Sequence, residues 1–98
     1  MALFAFVCTD KPDHLQVRMD TRPAHLDHLN ALNDQGILKM AGPFLDADGK
    51  PNGSLVIVEA DTIDAARAIA DADPYSKAGL FASVDVKPFN WVFNKPGA

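Results

Sequence analysis

Five residues in the first half of the chain are spaced as one face of a helix: Arg18, Arg22, His25, Leu29 and Leu32. Side chains three and four residues apart are neighbours on a helix surface, so this face passes from cationic through imidazole to apolar. The gradient predicts that its polar end borders a pocket at the margin of the core. Pro23 lies inside this stretch, so the alignment of Arg18 with the other four depends on whether the helix continues through the proline.

His25 is the residue on this face best suited to proton transfer. A histidine exchanges protons at physiological pH when a carboxylate orients one ring nitrogen and leaves the other to the substrate. Asp73 is the candidate for that carboxylate. From the residues alone the alternative is the stronger interpretation: His25 lies at the edge of the core, and Asp73 only caps a helix that begins at Pro74.

Four further side chains are candidates for binding a substrate. A guanidinium fork suits a carboxylate or enolate oxygen, which gives this role to Arg18 or Arg22. Ser54 and Tyr75 are secondary candidates for hydrogen bonds to the substrate. Their alternatives are a hydroxyl at the start of a strand and a partly buried aromatic residue.

The histidines are also candidates for metal ligands. His25 and His28 are three residues apart, Asp27 lies between them and His14 lies upstream. No second pair of ligands has a recognisable spacing, so we predict no metal site. The chain also lacks a glycine-rich phosphate loop, a nucleophile elbow and a cysteine pair. We therefore expect chemistry without a cofactor.

Charge and cysteine content restrict the partners and the compartment. The net charge of −4 and the pI of about 5.0 argue against a nucleic-acid partner, which requires clustered Lys and Arg. The single Cys8 has no intramolecular partner, so we expect a reducing, cytoplasmic setting. The apolar run 2–8 lacks a basic flank and is too short to cross a bilayer, so neither a signal peptide nor a membrane partner is predicted.

Four segments have the composition of strands: residues 3–8, 37–45 with an interruption at Gly42-Pro43, 54–60, and 81–93. A helical pattern covers 13–35, where Pro23 is expected to divide a short segment at 13–20 from the main helix that Gly36 ends. Thr62 is expected to cap a second helix at 63–72, with a small-residue face formed by Ala65, Ala66 and Ala70. Residues 46–53 are rich in turn formers, and 74–79 are expected to add one or two helical turns.

The element order is βαββαβ, which predicts a single α+β domain over residues 1–98 with a ferredoxin-like fold and a loose tail at about 94–98. The first and third strands are apolar on both faces and are placed at the centre of the sheet, whereas the fourth has one polar face and is placed at an edge. Both helices cover one face of the sheet. Burying the other face favours a homodimer packed sheet against sheet, an α+β barrel.

A set of short motifs covers nearly the whole chain in a fixed order: Arg18-x3-Arg22-Pro23-x-His25-Leu26-x2-Leu29, Gly36-x-Leu38-x3-Gly42-Pro43, Gly53-Ser54, Ala70-x-Ala72-Asp73-Pro74-Tyr75-x2-Ala78-Gly79 and Val84-x-Val86-x-Pro88-Phe89. In order and spacing they resemble the YciI family. The resemblance implies a dimeric α+β barrel similar to muconolactone isomerase, with a proposed His-Asp active site that maps onto His25 and Asp73. Most members lack an established substrate, and a few relatives are linked to the breakdown of chlorinated aromatics, including dehydrochlorination of a hydroxyquinone.

Three functions are compatible with these observations. The first is a cofactor-independent enzyme, of lyase or isomerase type, that acts on a small oxygenated or aromatic acid through His25 and Asp73. The second is a non-catalytic binding or regulatory module that uses the same pocket for a small molecule. The third is a structural subunit. A pocket lined by Arg18, His25 and Asp73 and containing a strongly perturbed pKa would favour the enzyme, a pocket of wholly apolar lining the binding module, and a closed barrel without a cavity the structural subunit.

Overall fold

A computed structural model describes residues 2–96, which form a four-stranded antiparallel sheet with three helices. The elements in chain order are β1 (Ala2–Asp10), α1 (Leu15–Asp34), β2 (Leu38–Leu45), β3 (Pro51–Ala60), α2 (Ile63–Ala72), α3 (Pro74–Lys77) and β4 (Phe81–Phe89). The strands lie in the order β2-β3-β1-β4. This is the predicted ferredoxin-like α+β fold, with the first and third strands at its centre and the fourth at an edge.

The core lies between the sheet and one layer of helices. Alternate residues of the two central strands point into it, among them Phe4 and Phe6 of β1 and Val56 and Val58 of β3. They pack against apolar residues of the helices: Leu29 and Leu32 of α1, and Ala66 and Ala70 of α2. The alternation of a strand places the intervening residues on the opposite face of the sheet.

That opposite face is apolar as well, as the continuous apolar runs predicted. Ala5 and Ile57 are paired across its centre and are buried by their neighbours. Around them Met40, Phe44 and Phe89 remain 44%, 41% and 40% exposed. We call the face that carries these five residues the open face, because the helices pack on the other side of the sheet.

The prediction that Pro23 divides the first helical region is wrong, since α1 runs without a break from Leu15 to Asp34. Proline removes one backbone hydrogen bond from a helix interior and crowds the preceding turn. Here the helix is held on both sides of the proline by buried side chains: Arg18 before it, and His25, Leu29 and Leu32 after it. Continuity of the helix aligns Arg18 with His25 on one face.

The predicted helix ends agree with the structure. Gly36 follows α1 with a φ of +74°, a backbone conformation that glycine adopts without strain, and the Ile37 N–H donates to the Leu32 carbonyl. The Thr62 hydroxyl accepts from the Ala65 N–H at the start of α2. Ala66 and Ala70 are buried, but Ala65 is exposed, so its assignment to the packed face is wrong.

The strands depart from their predicted bounds at several ends. β2 continues through Gly42-Pro43 because Pro43 lies in an edge strand, where proline is tolerated. β3 begins at Pro51 and shortens the predicted loop, whereas β4 stops at Phe89, four residues early. Of the predicted tail, residues 97 and 98 lie outside the described residues. None of the helices within residues 2–96 has the length and apolar character needed to span a membrane.

Candidate active site

The structure brings His25 and Asp73 together, although they are 48 residues apart in sequence. His25 Nδ1 lies 2.9 Å from each carboxylate oxygen of Asp73, and both residues are buried. Asp73 is itself fixed, because it caps α3 and its Oδ1 accepts from the Tyr75 N–H at 2.9 Å. The capping role and the contact with His25 are therefore compatible, and both belong to one carboxylate.

The other imidazole nitrogen, His25 Nε2, remains available. Within residues 2–96 it makes no hydrogen bond, and no buried side-chain nitrogen or oxygen in that part of the chain lacks a partner. Nε2 must therefore retain contact with solvent, and His25 lines a cavity. When Nδ1 donates its hydrogen to Asp73, Nε2 carries the lone pair and can accept a proton.

Arg18 forms a second buried polar group beside the first. Its Nε and Nη2 donate to the two carboxylate oxygens of Asp10 at 2.7 and 2.8 Å, and Nη2 also donates to Ser54 Oγ at 2.9 Å. Burial lowers the pKa of Arg18, but the hydrogen bond and charge of Asp10, together with the contribution of Tyr75, outweigh burial and leave the pKa above its usual value. Arg18 therefore holds a permanent positive charge beside the serine hydroxyl.

Asp10 is a site residue that the sequence interpretation missed. The predicted first strand ends at residue 8, but β1 extends to Asp10, which places the carboxylate next to the first turn of α1. The available signal was a lone acidic residue at the end of an apolar strand, shortly before a helix that carries a buried arginine. That pattern identifies a partner only once the helix is known to include Arg18.

Tyr75 connects the two polar groups. Its ring stacks on the His25 ring at 3.9 Å between centroids, and the Arg18 guanidinium carbon lies 4.7 Å from the same ring centre. Burial raises the pKa of Tyr75 and outweighs the lowering effect of Arg18 and Arg22, so the phenol is protonated at neutral pH and can donate a hydrogen bond. It is 1% exposed, more deeply buried than the predicted partly buried aromatic.

The cavity lies between α1 and strands β2 and β3 and has a volume of about 440 Å³. Five of the six predicted site residues line one part of it: Arg18, Arg22, His25, Ser54 and Tyr75. The sixth, Asp73, lies behind His25 and does not line the cavity. The remaining walls are largely apolar and include Met19, Leu26, Leu29, Pro43, Leu45 and Val56.

The metal-binding alternative has no matching geometry in the part of the chain that the structure describes. No three His, Cys, Asp or Glu side chains there are grouped closely enough to hold a metal ion. His14 instead contacts the Pro12 carbonyl oxygen at 2.8 Å. The polar groups of the site are arranged as hydrogen-bonded pairs.

Comparison with known proteins places these features in a family. The model of the YCII-related domain matches residues 2–90. Protein YciI of Escherichia coli O6:H1 is 44% identical over 97 residues, which covers 93% of this chain and 99% of that protein. An uncharacterized protein of Haemophilus influenzae is 35% identical over 96 residues, covering 92% and 98% of the two chains.

A solved structure is also similar over most of its length. It is the 5-chloro-2-hydroxyhydroquinone dehydrochlorinase TftG from Burkholderia phenoliruptrix AC1100, in complex with 2,5-dihydroxybenzoquinone. The two chains share 36% sequence identity with a TM-score of 0.82, covering 90% of this chain and 93% of the other. Together with the family match, these similarities show that the chain belongs to the YciI-like family of YCII-related domain proteins.

Proposed function

We propose that this protein is a cofactor-independent enzyme that transfers a proton within a small oxygenated ring compound. The observation that carries the proposal is the environment of His25, which lines the cavity and whose Nδ1 contacts Asp73 at 2.9 Å while Nε2 keeps solvent contact. Asp73 holds the tautomer in which Nε2 is the base, and its negative charge stabilises the imidazolium after Nε2 has taken a proton. The similarity to TftG, a dehydrochlorinase by name, supports a small-molecule enzyme.

The second polar group supplies stabilisation of the substrate oxygen. Ser54 Oγ accepts from Arg18 Nη2, which leaves its own hydroxyl hydrogen to donate into the cavity. When Nε2 removes a proton from a hydroxyl, or from a carbon next to a carbonyl, the electron pair moves toward a ring oxygen. Ser54 and Arg18 then stabilise that oxyanion, a contact that strengthens as the charge develops.

The proton on His25 completes the reaction in one of two ways. Return to a different atom of the ring gives an isomerisation. Delivery to a departing group, as the bond between that group and the ring carbon breaks, gives an elimination and makes the enzyme a lyase. Both outcomes use the same base and the same oxyanion contacts.

The test is proton exchange, which needs no knowledge of the reaction direction. We expect the native protein to accelerate exchange of the ring hydrogens of 2,5-dihydroxybenzoquinone for deuterium in D2O, and to release chloride from 5-chloro-2-hydroxyhydroquinone. His25→Asn should lower these rates by roughly 10²- to 10⁴-fold, the usual contribution of a positioned acid or base. His28→Asn is the matched control, because His28 lies on the same helix but does not line the cavity.

Equal rates for the native protein and His25→Asn, with both folded, would show that His25 does not transfer the proton. Binding of the quinone without exchange or chloride release would favour the non-catalytic binding module. NMR provides all the readouts, since deuterium exchange removes ring proton signals and binding shifts the signals of residues that line the cavity.

We also propose a cytoplasmic homodimer in which the chain acts as one domain. Cys8 is buried and unpaired, which suits a reducing compartment. The open face is apolar, and a second copy packed on it would remove Met40, Phe44 and Phe89 from water. The resulting α+β barrel would leave the cavity on the helix side of each sheet.

A further inference from the structure

Arg22 is a cation at the cavity that contacts no carboxylate within residues 2–96. It lines the cavity, is exposed, and makes no side-chain hydrogen bond or ion pair within residues 2–96. Its guanidinium lies close enough to Tyr75 that its positive charge lowers the pKa of the phenol, against the larger raising effect of burial. The charge therefore acts on the part of the cavity that contains the polar residues.

The other charges around the cavity are already paired. Arg18 is neutralised by Asp10 through two short hydrogen bonds, and His25 rests on the carboxylate of Asp73. None of the described residues that line the cavity is an aspartate or glutamate. Within residues 2–96, Arg22 is therefore the cation of the cavity lining that has no carboxylate in contact with it.

The position of Arg22 on α1 makes an anion more favourable there. It lies four residues after Arg18 and three before His25, so its helix neighbours on this face are a cation and a residue that becomes cationic during the proposed reaction. A proton taken up by His25 would repel the positive charge of Arg22, and a bound anion relieves that repulsion. A guanidinium also presents a planar fork that matches the two oxygens of a carboxylate.

The shape and chemistry of the walls restrict the rest of the ligand. The volume of about 440 Å³ is in the range of small-molecule sites, roughly 300–1,000 Å³. Leu26, Leu29 and Val56 provide apolar lining beside the polar groups that would contact ring oxygens. A ring with an oxygen substituent and a carboxylate uses both kinds of surface.

We infer that the substrate is a monocarboxylic acid on an oxygenated ring, and that Arg22 binds its carboxylate separately from the Arg18–Ser54 contact with the reacting oxygen. This inference rests on the proposed function in one respect, because both place the substrate in the same cavity. It gives Arg22 a role in substrate selection, distinct from proton transfer by His25. A ring that lacks the carboxylate, such as a simple hydroquinone, would then be a poorer ligand.

The experiment compares 2,5-dihydroxybenzoate with hydroquinone, which have the same hydroxyl arrangement and differ by the carboxylate. We expect the native protein to bind the benzoate roughly 10- to 100-fold more tightly in an NMR titration, the value of a hydrogen bond to a charged group. Arg22→Gln should abolish this preference. Arg67→Gln makes the same change of net charge on the exposed surface of α2, away from the cavity, and should keep it.

The inference is overturned if the native protein binds both compounds equally, if Arg22→Gln retains the preference, or if the benzoate does not bind at millimolar concentration. His25→Asn separates this result from the proposed function. Loss of proton exchange in His25→Asn with the carboxylate preference intact supports both proposals. Unchanged exchange in His25→Asn refutes proton transfer by His25. The role of Arg22 is still decided by whether the native protein prefers the benzoate and whether Arg22→Gln loses that preference.

Discussion

At the scale of single residues, the site consists of two buried hydrogen-bonded pairs, His25–Asp73 and Arg18–Asp10, joined by the aromatic ring of Tyr75. Each functional side chain has a partner that fixes its orientation: Asp73 for His25, and Asp10 for Arg18. Burial makes these partners necessary, because a charge removed from water without a counter-charge is strongly unfavourable. The acidic partners should therefore affect both stability and chemistry when they are changed.

Asp10→Asn tests this dependence while preserving side-chain shape. Arg18 is 3% exposed, so loss of the opposing charge should destabilise the protein by about 3 kcal/mol, measured by urea unfolding. Proton exchange should also fall, because Arg18 would no longer be held beside Ser54. Asp20→Asn is the control, since Asp20 is an exposed carboxylate on α1, and it should change the free energy of unfolding by less than about 0.5 kcal/mol. Equal effects of the two substitutions would contradict this account.

Cys8 provides a prediction about pH. Burial raises the pKa of its thiol to about 12, so at pH 8 the native protein should react with iodoacetamide far more slowly than the urea-unfolded chain. The thiol has its ordinary pKa of 9.0 in the unfolded chain. Between pH 9 and pH 12 the unfolded chain loses the thiol proton while the native protein retains it, so the free energy of unfolding falls over this range. Below pH 9 the contribution of the buried thiol to that free energy is fully present. Native alkylation as fast as in urea would show that the thiol is accessible.

At the scale of elements, the sequence predicted correctly those features that depend on residues close together in the chain. The cap at Thr62 and the helix start at Asp73-Pro74 are set by residues within a few positions, and both agree with the structure. The course of α1 through Pro23 depends on partners far along the chain, so the local cost of proline was overestimated. Asp10 was missed for the same reason, because its role appears only when β1 and α1 are placed together.

Strand pairing gives a further prediction at Gly53. An added Cβ would lie 2.5 Å from the Cys8 carbonyl oxygen, which belongs to the backbone of β1 and cannot move aside cheaply. Gly53→Ala should therefore destabilise the protein by roughly 1–3 kcal/mol, the usual range for overpacking. Gly42→Ala is the matched control in β2, because no atom lies within 4 Å of its added Cβ. Urea midpoints of the two variants measure the difference, and similar values would argue against a tight approach of β3 to β1.

At the scale of the whole molecule, the two faces of the sheet have different roles. The face under the helices contains the core and borders the cavity, whereas no helix among residues 2–96 covers the open face, which still carries apolar side chains. A small domain has little net stability to lose, and large apolar side chains left in water reduce it further. This is the physical reason for proposing that a second copy covers the open face.

Met40→Glu distinguishes the lone protomer from the dimer. In a lone protomer Met40 is already 44% exposed beside Ile57, so a glutamate there should change the free energy of unfolding little. In a sheet-to-sheet dimer the same glutamate would be buried without a partner and should separate the protomers. We expect sedimentation equilibrium to give the native protein a mass of twice 10.6 kDa and Met40→Glu the mass of one chain.

The control is Ile63→Glu. Ile63 is 42% exposed at the start of α2 and lies away from the open face, so this variant should remain dimeric. A native monomer, or a Met40→Glu protein as dimeric as the native form, would show that the open face is not the interface.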